Sequence, residues 1–369
     1  MAENAITNST KKPYRVLSLD GGGMRGLYTA TVLNTIASRF SYGRGELDIG
    51  KGFDLITGTS TGGILACALA AGEPIQKVIE IYQVHGQVIF SCPLPQNKFA
   101  KGLWAIRNFL RPANDNIRLS SALKSIFKDQ TIGSLFQSRK IALCIPAVNL
   151  ATHKSQVFKT AHNSQKNADD NRLLVDVCLA SSAAPIILPI ASIDNPHIQN
   201  QSSHFADGGL WANNPVLVAL IEALQISDQD QPIEIISIGT CPPPSGVALI
   251  PKEIKRGVLG WNFGIKALEL SMDAQASGHQ FMAKFLVDHL RKYNREVTLL
   301  RLEQSAPSSD QSNHLGLDNA SKKACSTLIE LGNSDALNIY GKALSEKSDY
   351  NILQTIFKSM PTLLPEKNQ

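Results

Sequence analysis

Gly58-Thr59-Ser60-Thr61-Gly62 has the G-x-S-x-G form of a nucleophile elbow, in which a serine rides a strained strand-to-helix turn. The residues two positions either side of such a serine must be nearly free of side chain, and Gly58 and Gly62 are. The helix N-terminus behind the serine favours negative charge developing at its oxygen. The pentapeptide alone also fits a tight turn with an incidental serine, so the chemistry requires a base. His279, His289 and His314 lie far enough downstream for a Ser–acid–His order. His279 and His289 fall within helix-like sequence, which leaves His314, in "DQSNHLGLD", as the best of the three. A different base stands out. Asp207, in "FADGGLWANNP", precedes Gly208 and Gly209 in a turn before the next helix. Those glycines let the backbone approach another segment closely, so the carboxylate could bind the Ser60 hydroxyl and take its proton. An ordinary aspartate, with a pKa of about 3.9, is a poor base unless burial raises that value. D-G-G by itself is also plain turn chemistry.

A third glycine-rich segment, "DGGGMRG", reads G-x-G-x-x-G at Gly21, Gly23 and Gly26, between a strand-like and a helix-like run. That context suits a dinucleotide cradle. Such a cradle wants an acidic residue about 20 positions on, at the end of an apolar strand. Glu46 and Asp48 have the spacing, but "RGELDIG" is not such a strand, and Asp20 would face a pyrophosphate with like charge. An oxyanion hole fits better: Gly21, Gly22 and Gly23 expose backbone N–H groups at a helix N-terminus, with Arg25 adding a cation.

The elements that must position these groups alternate. Strand candidates are Tyr14 to Leu19, "FDLIT", "KIALCIPAVNL", "IEIISIGT" and "EVTLLRL". Leu27 to Phe40, "GILACALAAG", "LLVDVCLASSAAP" and "NNPVLVALIEAL" read as helices. Alternation of this kind predicts an α/β fold: three layers, a largely parallel central sheet and helices on both faces. Residues 1–13 read as a disordered tail and 14–350 as one domain, helix-rich from about 245, with "CPPPSG" as the sharpest loop; 351–369 read as a C-terminal extension. The 369 residues are 43% hydrophobic and 18% charged, enough for a substantial core. A net charge of +5 suits contact with anionic surfaces but does not argue for a nucleic acid polymer. The six cysteines show no C-x-x-C pair, so neither a metal site nor a disulfide framework is expected. The polar N-terminus and broken apolar runs predict a cytoplasmic protein without a membrane span.

In this order, "DGGGMRG", "GTSTGG" and "DGG" resemble the signature of the patatin-like phospholipases. The likeness is greatest to the short bacterial kind that serve as cyclic-nucleotide-activated (CBASS) antiphage effectors. The resemblance implies a fold related to cytosolic phospholipase A2 and a Ser–Asp dyad, with Ser60 as nucleophile and Asp207 as base. It implies Gly21, Gly22, Gly23 and Arg25 as the oxyanion element, and no metal or cofactor. It further implies membrane phospholipid as substrate at the inner face of the cell membrane, a cyclic oligonucleotide such as cyclic GMP-AMP as activator, and a homodimer. The other readings are a constitutive lipase, an NAD(P)-binding oxidoreductase on Gly21, Gly23 and Gly26, and a nucleotide sensor with a vestigial lipase site.

A lipid hydrolase without a span must dock on the bilayer. In "NKFAKGLWAIRNFLR", Phe99, Leu103, Ile106 and Leu110 recur at helical spacing, Trp104 offers an interfacial ring, and Lys98, Lys101, Arg107 and Arg111 add charge. The pattern fits a membrane contact, a lid or an ordinary core-packing helix. A second basic stretch, with Lys252, Lys255, Arg256 and Trp261, could meet phosphates and stack on a base.

Overall fold

The computed structural model describes residues 11–95, 97–163, 168–194, 201–241, 254–255, 257–258 and 260–363. Residues 1–10 of the tail, the proline loop after Cys241, and Lys252 and Arg256 lie outside them.

Apolar runs form the sheet because both of its faces are covered, so their residues alternate between two cores. β1 (Tyr14–Leu19) pairs in parallel with β2 (Leu55–Gly58) on one side and β7 (Ile233–Ile238) on the other. β3 (Ala142–Asn149) adds in parallel to β2, and β8 (Val297–Arg301) to β7. The other edge is antiparallel: β4 (Lys154–Lys159) and β6 (Ser202–Asp207) pair with β3, and β5 (Ala191–Asp194) pairs with β6. These last three strands are short and rich in serine, lysine and histidine, so they carry no apolar run for sequence periodicity to find.

Leu17, Leu19, Ile56 and Leu143 face one core, shared with α1 (Gly26–Ser41), α2 (Thr61–Ala71) and α4 (Leu174–Ser181). Between α2 and α4 comes α3 (Lys98–Arg107). Val16, Leu55, Ile233 and Ile235 face the second core, under α6 (Val216–Ile226) and α7 (Ile265–Lys292), with the short α5 (Gly209–Ala212) preceding α6. Helices thus lie on both faces of a largely parallel sheet, as the alternation predicts. Gly72 closes α2 with φ 81°, a left-handed cap that glycine adopts without strain.

The chain ends in α8 (Lys322–Ala343) and α9 (Asn351–Ser359). Of the segment 351–369, the described residues 351–363 pack on the rest of the fold: Leu353, Ile356 and Phe357 of α9 are buried in the first core, and Phe357 stacks on Phe40 of α1. The strongly one-sided apolar pattern of "NILQTIFKS" requires such a partner. Among the described residues, no helix is long and apolar enough to cross a membrane.

Candidate active site

β1 and β2 are adjacent parallel strands, so the turns that leave their carboxyl ends lie side by side, where open α/β sheets bind ligands. Ser60 occupies the turn after β2 with φ 54° and ψ −121°, a left-handed backbone that a serine holds only under constraint. A Cβ on Gly58 would lie 2.1 Å from the Gly62 carbonyl, and one on Gly62 would lie 2.4 Å from that of Leu19. Both positions of the elbow are therefore sterically restricted to glycine.

Ser60 Oγ donates to Asp207 Oδ2 at 2.8 Å, although 147 positions separate them. Asp207 is the last residue of β6 rather than part of the following turn, and its register opposite Ala147 of β3 aims it at the elbow. Its Oδ1 accepts the Gly209 N–H at 2.6 Å. A Cβ on Gly208 would strike the Pro146 carbonyl at 2.2 Å, so this glycine lets the chain pass β3. Both halves of the pair are braced by Ser181, at the end of α4. Its hydroxyl accepts the Ser60 N–H at 2.9 Å and donates to the Pro146 carbonyl at 2.7 Å, while its carbonyl accepts the Gly208 N–H. Sequence reasoning treats Ser181 only as part of a helix, because nothing local in "CLASSAAP" marks it.

Burial pushes the Asp207 carboxyl up to about 6, and the bonds from Gly209 N–H and the Ser60 hydroxyl keep it from rising further. The group is mostly ionised at neutral pH yet far more basic than a surface aspartate, which suits proton abstraction from Ser60. No histidine among the described residues bonds either member. His279 binds the Asn214 carbonyl, His289 packs on Tyr293, and His314 donates its backbone N–H to Gln311.

The glycine loop after β1 passes beside the pair. The amides of Gly22 and Gly23 have no hydrogen-bond partner among the described residues, and both residues line the cavity that holds Ser60 and Asp207. Two free N–H donors at the entry to α1 can bind an oxyanion. Gly23 sits at φ 56°, and a Cβ there would be 2.2 Å from the Leu317 carbonyl. Gly21 does not share the donor role: its N–H is committed to the Asn213 carbonyl at 2.9 Å. Arg25 likewise departs from expectation. Its Nε reaches back to the Gly22 carbonyl at 3.4 Å, and its guanidinium faces Glu269 and Asp273 of α7 in an outer cleft, where it braces the loop from behind. Asp20 is held by Arg301 of β8, Nη1 to Oδ1 at 2.8 Å.

The dinucleotide alternative fails on the same geometry. Asp48 caps the turn Ile49–Gly52 and pairs with Arg139 at 2.6 Å, so it offers no ribose contact, and the glycine loop opens onto Ser60. The cavity beyond the pair is walled by Ile64, Ile89, Phe90, Leu119, Ile187 and Met272, an apolar slot of the kind an acyl chain fills. Ile186, next in the chain to the wall residue Ile187, has φ 72°, a strained backbone for a β-branched residue. On the far face of the sheet, Cys144, His162 and Glu222 bring ligand-type atoms within 4.8 Å of one another. Glu222 there is already ion-paired to Lys159, and His162 bonds Glu222 and Thr160, so the network is satisfied without a cation.

α3 forms where the amphipathic pattern places it, but Trp104 is not interfacial. It is buried, with Nε1 donating to the Cys92 carbonyl at 3.1 Å. Lys101 lines the outer cleft beside Arg25, and Arg107 is exposed. Of the second basic stretch, Lys255 is exposed.

Residues 17–220 match the family described as patatin-like phospholipase. The chain is similar to the cGAMP-activated phospholipase of Vibrio cholerae serotype O1, 32% identical over 348 residues that cover 90% of this chain and 93% of that one. It is similar also to the cGAMP-activated phospholipase of Pseudomonas aeruginosa, 34% identical over 334 residues and 90% of each chain. Among solved structures, human GIVD cytosolic phospholipase A2 aligns over 94% of this chain and 60% of its own, at 10% identity and a TM-score of 0.42. The family match takes in both the glycine loop and the serine elbow and reaches past Asp207, and by it this chain belongs to the patatin-like phospholipases.

Proposed function

We propose that the protein hydrolyses acyl esters of membrane phospholipids through a Ser60–Asp207 dyad and that cyclic GMP-AMP switches it on. The observation that carries the catalytic reading is the 2.8 Å bond from Ser60 Oγ to the buried Asp207 carboxylate, at an elbow opening into an apolar slot. Asp207 takes the hydroxyl proton as Oγ attacks the ester carbonyl, and Gly22 and Gly23 N–H groups hold the oxyanion. The carbonyl–oxygen bond to the lysolipid breaks, and the departing alkoxide recovers the proton from Asp207. Water then attacks the acyl-serine, again losing its proton to Asp207, and the fatty acid leaves as Ser60 is restored. Support for the activator comes from the two bacterial cGAMP-activated phospholipases, to which this chain is similar along nearly their whole length. Residues 14–363 act as one unit in this reading, because β8, α8 and α9 complete the sheet and core that carry the site. Action at the inner face of the cell membrane and assembly as a homodimer complete the proposal; sedimentation velocity tests the latter.

The deciding experiment is fatty-acid release from phospholipid vesicles by wild type, Ser60→Ala and Asp207→Ala, with and without cyclic GMP-AMP. Release that requires both side chains and the nucleotide is expected. Release without nucleotide would replace the switch by a constitutive lipase, and release by Ser60→Ala would overturn the dyad.

A further inference from the structure

An amphipathic helix in a folded protein normally turns its apolar stripe inward. α3 does the reverse. Trp104 anchors it inward, while Phe99, Ile106, Phe109 and Leu110 are 79%, 76%, 83% and 89% exposed, with Leu103 between them at 56%. No acidic residue occurs between Asn97 and Asn114, and Lys101, Arg107 and Arg111 flank the stripe. Monomers rarely leave so many bulky apolar side chains together in water, and a cationic rim around them matches an anionic lipid surface.

The stripe is also tied to the catalytic pocket. Cys92 N–H donates to Asn114 Oδ1 at 2.9 Å, and Asn114 Nδ2 donates to the carbonyl of Ile187, a wall of the Ser60 cavity. Leu94 N–H donates to Asp318 Oδ2 at 2.7 Å. Lys101, Pro93 and Leu94 line the outer cleft, which shares Met272 and Leu317 with the cavity of the pair. A surface lying on this stripe therefore borders the route to Ser60. A second copy of the chain is the poorer occupant, because a two-fold contact would bring the same cationic flanks together.

We propose that α3 and the residues that follow it to Arg111 form the face by which the protein docks on an anionic phospholipid bilayer, delivering lipid through the outer cleft to Ser60. The inference rests on the phospholipid reading above. Its test uses the full chain carrying Phe99→Ser, Ile106→Ser, Phe109→Ser and Leu110→Ser, all solvent-facing and outside the catalytic groups. A second variant carries Arg107→Glu and Arg111→Glu. Co-sedimentation is measured in the Ser60→Ala background, on phosphatidylcholine vesicles with and without phosphatidylglycerol. Turnover of a soluble short-chain ester is measured with Ser60 intact, and each assay is run with and without cyclic GMP-AMP. The apolar variant is expected to lose vesicle binding by about tenfold or more, and the charge variant to lose its preference for phosphatidylglycerol, as for interfacial helices generally. Soluble-ester turnover should stay near wild type in both. Undiminished vesicle binding by the apolar variant overturns the proposal, as does equal loss of soluble-ester turnover. A dimer-to-monomer shift with vesicle binding intact would assign the face to a second copy. Wild type that turns over neither substrate under any condition would instead refute the phospholipase reading, leaving the binding result to stand.

Discussion

At the scale of single residues, the proposed dyad makes Asp207 set both activity and its pH dependence. Its folded value is raised from 3.8 to about 6 by burial, so the folded protein holds a proton there that the unfolded chain has already lost. Stability from this group is full below the unfolded value and falls as pH rises through the folded one, by about 3 kcal/mol in all. Asp207→Asn should therefore abolish hydrolysis while unfolding at higher urea concentration than wild type at pH 8. The gain should fade towards pH 4; a gain independent of pH would contradict the assignment. The same carboxylate must be ionised to accept the Ser60 proton. The kcat/KM for a soluble ester should rise through one ionisation near pH 6 and level off above it. Ser181 acts through its neighbours. Ser181→Ala leaves the Ser60 N–H and the Pro146 carbonyl without their hydroxyl partner, at a cost of about 1–3 kcal/mol in stability. A fall in kcat with little change in KM would mark it as a positioning residue, and unchanged kcat would remove it from that role.

At the scale of elements, the elbow depends on close packing of two strand–helix turns. A Cβ on Gly62 would press on both the Leu19 and Asp20 carbonyls, which belong to the segment leading into the glycine loop. Gly62→Ala should lower stability by about 1–3 kcal/mol, typical of overpacking, and, on the proposed mechanism, remove activity altogether, since the strain displaces Ser60 and the glycine loop together. Thermal unfolding and ester turnover on one preparation check this; full activity would show that the two turns can part without harm. These turns were legible in the sequence because glycine at a strand–helix junction answers a local steric demand. The antiparallel edge was not. β6 reads as "SSHFAD", with little apolar periodicity, and becomes a strand because β3 and β5 supply ladder partners on either side.

At the scale of the whole molecule, the last parallel strand holds the first loop. Arg301 of β8 reaches Asp20, 281 positions earlier, and that carboxylate is buried immediately ahead of the glycine loop. Burial raises the Asp20 pKa and the Arg301 guanidinium opposes the rise. Arg301→Met would strand the carboxylate and should destabilise the protein by about 3–5 kcal/mol at neutral pH. The loss should shrink as acid protonates Asp20; a loss that does not depend on pH would point to packing instead. The same long-range closure brings α9 back onto α1, where Phe357 and Ile356 fill the first core.

The sequence by itself determined the strand–turn–helix alternation and the three glycine turns, and it offered Ser60 and Asp207 as candidates. Each of these follows from interactions within a few residues: apolar period, backbone sterics and the chemistry of a side-chain type. Only the tertiary structure decided that Ser60 and Asp207 meet, that Ser181 braces both, and that the Gly22 and Gly23 amides have no partner among the described residues while the Gly21 amide is taken by Asn213. It also decided that Arg25 turns away from the cavity and that α3 buries its tryptophan and presents its apolar stripe to solvent. An amide's partner and a side chain's exposure depend on which distant segment packs against it, and no local pattern encodes that neighbour.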